Sequence, residues 1–267
     1  MRTTLSGREV YAYTGSRAFE SGRATIAFVH GAAGDHGVWA LQSRYFAHHG
    51  WNALAVDLPG HGRSAGEPLA SVRRIADWLV SLLDALSIET AVLAGHSMGA
   101  LAALDAAARH PGRVAKLALV GVAVPMPVSE TLLAAAKRDD HAALEMINAW
   151  SFSPAHQLGG NRMPGVWMTG NGMRLMERCG SGVLHTDLLA CHRYTDGLSA
   201  AANVRCPTLI VLGERDRMAP AKNAGALAAA LADKRVIKVP DGGHSLMVEA
   251  PDAVLDGLRE FAARSFS

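Results

Sequence analysis

Little in this chain points toward a specialised environment. Its 267 residues include three cysteines, Cys179, Cys191 and Cys206. An odd number without paired spacing excludes a disulfide framework or a cysteine metal site, so they read as reduced thiols of a cytoplasmic protein. Neither charge sign dominates: 26 Lys and Arg against 24 Asp and Glu leave a formal net charge of +2. Nucleic acid and anionic membrane surfaces therefore find little to hold. No apolar run approaches a membrane span, and the opening stretch Met1-Arg-Thr-Thr-Leu-Ser-Gly-Arg-Glu9 has no apolar signal core. Repeats and low-complexity tracts are absent. His-Glu-x-x-His and Gly-x-x-x-x-Gly-Lys are missing too, and Gly60-His-Gly62 lacks the Gly-x-Gly-x-x-Gly spacing. No metal or nucleotide cofactor is expected.

What is present is an ordinary globular composition, 49% apolar and 19% charged, in a chain long enough for one sizeable core. Arg8 to Tyr13 alternates as an early edge strand should. Ala24 to His30, Trp51 to Val56, Ala91 to Ala94, Val114 to Val124 and Pro207 to Gly213 are continuous apolar runs, the pattern of strands buried on both faces. Between them lie helical faces at 71–86 and 98–110, and later at 221–232 and 251–261; Asp35 is placed to cap a helical turn. Arg235 to Val239 supplies a last strand. Strand–helix alternation predicts an α/β fold with a mostly parallel sheet and helices on both faces. The alternation breaks at 125–204, where helical fragments occur without a convincing strand. The expected organisation is a core of 1–124 and 205–267 with a helical cap inserted at 125–204.

One turn organises this pattern. Gly95-His-Ser-Met-Gly99 lies between an apolar strand and an Ala-rich helix, the setting of a nucleophile elbow with Ser97 at its apex. The helix N-terminus offers the Met98 N–H to a developing oxyanion. Ser97 requires a base and an acid. Most of the twelve histidines sit in or beside helices, or within 125–204; His244 instead follows the last strand in Asp241-Gly-Gly-His-Ser. For the acid, Gly213-Glu-Arg-Asp216 follows a buried strand, with Glu214 as local rival. The alternative place after Val124 holds Pro125-Met-Pro-Val128 and no carboxylate before Glu130. Ser97, Asp216, His244 is the serine–acid–histidine chain order of one particular fold.

With those pieces, together with His30-Gly31-Ala32 and Asp57-Leu-Pro-Gly-His-Gly-Arg-Ser64, the chain resembles the α/β-hydrolases over essentially its whole length. The resemblance implies a roughly eight-stranded twisted sheet and an oxyanion hole formed by the backbone N–H groups of Ala32 and Met98. It makes His30 and Arg63 organisers of loops. The expected reaction is hydrolysis of a carboxylic ester or related acyl bond of a small, largely apolar molecule through an acyl-enzyme. Carbon–carbon, enol-lactone and thioester hydrolysis, or perhydrolysis, share the same triad, and a slow-turnover small-molecule receptor shares the fold. A serine apex argues against epoxide or halide chemistry, where relatives use aspartate. Within the cap, Met126, Met146, Trp150, Phe152, Met163, Trp167, Met168, Met173 and Met176 could line an apolar pocket. Gly31, Trp150, Trp167 and Met168 are the candidate substrate contacts. Gly159-Gly160, Gly165, Gly170 and Gly172 suggest loops able to move.

Overall fold

Apolar runs without polar alternation become the inner strands because both their faces must be covered. The computed structural model describes residues 1–157 and 165–263, so the expectations placed on Gly159, Gly160 and Met163 lie outside the described residues. Its strands are β1 (Arg2–Leu5), β2 (Arg8–Tyr13), β3 (Thr25–Val29), β4 (Asn52–Val56), β5 (Ala91–His96), β6 (Val114–Val120), β7 (Thr208–Gly213) and β8 (Lys234–Val239). They form one eight-stranded sheet in the order β1-β2-β4-β3-β5-β6-β7-β8. The β1–β2 and β2–β4 pairs are antiparallel, and pairing from β4 through β8 is parallel. Every residue of β3, β4, β5 and β7 is buried.

The helices are α1 (Ala40–His48), α2 (Val72–Ala85), α3 (Met98–Arg109), α4 (Glu130–Lys137), α5 (His141–Ser151), α6 (Pro154–Gln157), α7 (Met168–Met176), α8 (Val183–His192), α9 (Gly197–Asn203), α10 (Gly225–Ala230), α11 (Leu246–Glu249) and α12 (Pro251–Ala263). Alternate strand residues face opposite sides. Val29, Leu93, Leu119 and Ile210 pack with α2, α3, α9 and α10, whereas Phe28, Val92, Val120 and Val211 pack with α1, α11 and α12. A third, smaller apolar cluster gathers α4, α5, α7 and α8 through Leu132, Ala136, Ile147, Met176, Leu184 and Leu188. It also contains Ala33, from the loop after β3. No helix among the described residues is long and apolar enough to cross a membrane.

Three local expectations change. The segment expected as the edge, β2, is second in the sheet, because Ser6 and Gly7 both take positive φ (49° and 76°) and close a tight hairpin with β1. The β6 run stops at Val120, where Gly121 turns the chain with φ 59°. Gly170 and Gly172, read as loop residues, lie inside α7, where they leave room for the Trp167 and Phe152 rings.

Candidate active site

The elbow is fixed by backbone contact. Ser97 sits at φ 53°, ψ −117° between β5 and α3, and its N–H donates to Val120 O at 3.0 Å. A Cβ at Gly95 would lie 2.2 Å from Gly99 O, and one at Gly99 would lie 2.4 Å from Val29 O. Strand and helix can meet at this angle only if both residues are glycine.

On the neighbouring strand ends, Asp216 follows β7 and His244 follows β8. His244 Nδ1 donates to Asp216 Oδ2 at 2.8 Å, with both side chains buried. The other Asp216 oxygen accepts the N–H groups of Met218 and Ala219, each at 2.8 Å. Burial raises the Asp216 carboxyl, but the charge and hydrogen bond of His244 and these two N–H donors outweigh it, and the net shift is downward. Asp216 is thus an ionised acceptor that leaves His244 Nε2 without a proton in the neutral ring. His96, within the elbow, supports the same ring. Its Nε2 lies 3.0 Å from the His244 carbonyl, which can only accept, and the two rings are 4.7 Å apart. Burial, with His244 nearby, pushes His96 down to about 3, so it serves as a neutral donor. Glu214 is exposed after β7.

Ser97, His244 and Ala32 open onto one cavity of about 510 Å³. Among the described residues Ser97 Oγ makes no hydrogen bond to His244. The backbone N–H groups of Ala32 and Met98 are likewise uncommitted among the described residues. The Gly31–Ala32 peptide is held from its carbonyl side: Gly31 O accepts from Gly34 N at 3.1 Å and from His30 Nδ1 at 2.8 Å. His30 Nε2 accepts from Leu58 N at 3.1 Å, which ties the loop after β3 to the loop after β4.

Of the other candidate contacts, Gly31, Trp150 and Met168 line the cavity. The side chain of Met98 packs into the core instead, leaving only its backbone for the site. Trp167 is a correction: it is 71% exposed and lies outside the cavity wall, as the residue preceding α7 that packs back on its own helix at Gly170. Among the described lining residues Arg217 alone carries a fixed charge. Sequence reasoning did not single it out as a lining residue.

The segment between β6 and β7 is joined to this site by buried polar groups. Ser151 O, at the end of α5, accepts from His244 N at 2.8 Å and Ser245 N at 3.0 Å. Glu249, buried in α11, accepts from Gly243 N at 3.1 Å, Ser153 N at 3.0 Å and His156 Nδ1 at 3.1 Å. Asp35, His36 and Asp57 bring potential metal-ligand atoms within 4.8 Å of one another. Their acceptors are occupied, however: Asp57 receives His36 N, His36 Nδ1 and Arg63 N, and Asp35 receives Gly37 N and Arg178.

Comparison with known proteins gives a consistent result. A family model for the alpha/beta hydrolase fold matches residues 24–251. The chain is 31% identical over 248 residues to a pimeloyl-[acyl-carrier protein] methyl ester esterase of Aromatoleum aromaticum, covering 86% of this chain and 94% of that one. It is 25% identical over 244 residues to the (E)-2-((N-methylformamido)methylene)succinate hydrolase of Acinetobacter baylyi, covering 88% and 89%. Among solved structures, the enol-lactonase from Burkholderia xenovorans superposes with a TM-score of 0.85 at 21% identity over 99% of this chain and 100% of that one, a likeness of fold.

Proposed function

The chain belongs to the alpha/beta hydrolase fold family, and from that premise we propose that it is a serine hydrolase of a carboxylic ester or related acyl bond. Ser97 Oγ attacks the carbonyl carbon while His244 Nε2 takes its proton. Asp216 holds His244 in the required tautomer and balances the imidazolium. The Ala32 and Met98 N–H groups receive the oxyanion, each contributing about 3 kcal/mol of transition-state stabilisation. As the tetrahedral intermediate collapses, the leaving alcohol departs with the proton from His244. Water then gives a proton to His244 and its oxygen to the acyl carbon, and Ser97 recovers its proton as the acid leaves.

The observation that carries this reading is the 2.8 Å contact of His244 Nδ1 with a buried, ionised Asp216 beside the cavity that holds Ser97. The helical segment at 125–204 acts as a cap that sets the substrate. Its contributions to the cavity are mostly apolar (Leu132, Ile147, Trp150, Met168, Met176 and Leu188), which favours a small, largely apolar acyl or aromatic ester. The methyl ester named for the Aromatoleum relative is a bond of the same kind. The free cysteines fit work in the cytoplasm.

The test is turnover of p-nitrophenyl butyrate alongside thioesters, lactones and vinylogous diketones. Ser97→Ala is expected to lower kcat by about 10⁵- to 10⁶-fold with an unchanged melting temperature. Unchanged turnover overturns the serine mechanism, and the preferred member of the panel identifies the acyl bond.

A further inference from the structure

Ala33 follows the proposed oxyanion donor Ala32, and three of its features are held by the segment at 125–204. Its N–H donates to Asp187 Oδ2 on α8 at 2.9 Å. Its carbonyl accepts from Cys179 Sγ at 3.2 Å. Its methyl group belongs to the apolar cluster of α4, α5, α7 and α8. Two residues on, Asp35 is paired with Arg178 from the same segment. Ala33 is fully buried at φ 50°, a backbone conformation costly for alanine unless its surroundings fix it.

Asp187 has a second partner. Its Oδ2 lies 2.8 Å from His61 Nε2, and both side chains are 1% exposed. The other His61 nitrogen, Nδ1, lies 3.0 Å from Pro59 O. A carbonyl and a carboxylate both accept, so a His61 that satisfies both is doubly protonated, and the contact is a buried ion pair. This pair has no place in the acyl-transfer steps above. It joins the loop after β4, the loop after β3 and α8 at one point beside the oxyanion hole.

We propose that Asp187 and His61 are positioning residues that set the oxyanion hole through Ala33, so that the helical segment helps build the catalytic machinery as well as enclosing the substrate. The inference rests on the proposed role of Ala32. The peptide bearing the Ala32 N–H is held on its carbonyl side by His30 and Gly34, and the next peptide, bearing the Ala33 N–H, is held by Asp187. Removing the carboxylate leaves the Ala33 N–H buried without an acceptor and frees that peptide to rotate, which moves its neighbour.

The arrangement also has a pH sense. Facing His61 are Asp187 from α8, Asp57 and the Pro59 carbonyl from the loop after β4, and His30 from the loop after β3, whose ring centroid is 4.8 Å away. His36 lies against Asp57, and the Cys179 and Cys191 thiols feel the charge of Asp187. Burial pushes His30 down to about 3, aided by His61, so His30 adds no charge. Burial pushes the Cys179 thiol up to about 12 and Cys191 higher, so both stay neutral. For His61 itself burial lowers the pKa, but the hydrogen bond and charge of Asp187, with Pro59 O and Asp57, raise it further. The ion pair is complete below the ordinary imidazole range and is lost as pH rises through the raised value.

The test compares wild type, Asp187→Ala and Asp187→Asn on p-nitrophenyl butyrate, with sites counted by paraoxon titration and folding followed by melting temperature. Ser97→Ala in the same assay establishes separately that the serine mechanism operates. Asp187→Ala is expected to lower kcat per titrated site about tenfold to a hundredfold with KM within about twofold. Asp187→Asn keeps an acceptor for Ala33 but not the charge partner of His61, so its kcat per site is expected to lie between those of wild type and Asp187→Ala, and to lack the alkaline decline that wild type shows as His61 deprotonates. Should Asp187→Ala fail to fold, the alkaline limb of Asp187→Asn decides. A kcat per site within twofold of wild type in Asp187→Ala, or an alkaline limb unchanged in Asp187→Asn, overturns the proposal and leaves the role of Ser97 untouched.

Discussion

At the elbow, place is dictated by main chain: Ser97 N on Val120 O, Gly95 against Gly99, Gly99 against Val29, with every residue of β5 buried. Around α4 to α8, apart from Ser151 O on His244 N and Ser245 N, place is dictated by side chains: Asp187 on Ala33 and His61, Arg178 on Asp35, and Glu249 on Ser153 and His156. The apolar cluster beneath those helices is much smaller than either face of the sheet. The two regions therefore fail differently. Backbone contacts tolerate almost no change at a few positions, whereas side-chain clamps leave the surrounding helices free to vary in sequence.

The largest expected effect separates chemistry from packing. Asp216→Asn leaves the sheet unaltered and is expected to lower kcat about 10³- to 10⁴-fold per titrated site, because His244 loses the acceptor that fixes its tautomer. A loss below tenfold would break the claim that the strand ends carry the chemistry. The same carboxyl, held below its ordinary range, stabilises the fold fully above that range. Its contribution disappears only as pH falls through the lowered value, so activity lost in mild acid has another origin.

Next, paired truncations weigh the two packings. Leu101→Ala, in α3 and 1% exposed, is expected to cost about 3–5 kcal/mol in urea unfolding. Leu188→Ala, in α8, is expected to cost about 2 kcal/mol, since its side chain already faces open cavity, and to change acyl-chain preference as well. Equal costs would mean that the helical segment is packed as tightly as the sheet.

The smallest effect concerns charge. Arg217→Gln is expected to lower the preference for an ester bearing a remote carboxylate over a neutral one by about two- to fivefold in kcat/KM, as suits an exposed cation at an apolar cavity. An unchanged ratio assigns that arginine to solvent.

The same contrast explains what could be read from sequence. The parallel sheet was legible because β3, β5 and β7 are runs with no room for a polar face. That Asp216 and His244 meet was legible from their places just after neighbouring strands, β7 and β8. The contact of His61 with Asp187 spans 126 residues, and that of Ala33 with Cys179 spans 146. Nothing within α8 distinguishes a buried Asp187 from a solvated one. Trp167 misled for a related reason: residue type suggests a pocket wall, but its place at the start of α7 turns the ring outward. Gly170 and Gly172 misled because glycine serves close packing as well as flexible turns.

The Glu249 clamp bears on how such enzymes can be recombined. Its carboxylate belongs to α11, beyond the last strand, yet it receives N–H groups from Gly243 beside it and from Ser153 and His156 far upstream. Transplanting residues 125–204 into another host would therefore carry away only half of each joint. The graft would need Asp35, His61 and Glu249 waiting in the recipient, so the transferable unit is a set of separated stretches and not one exchangeable block.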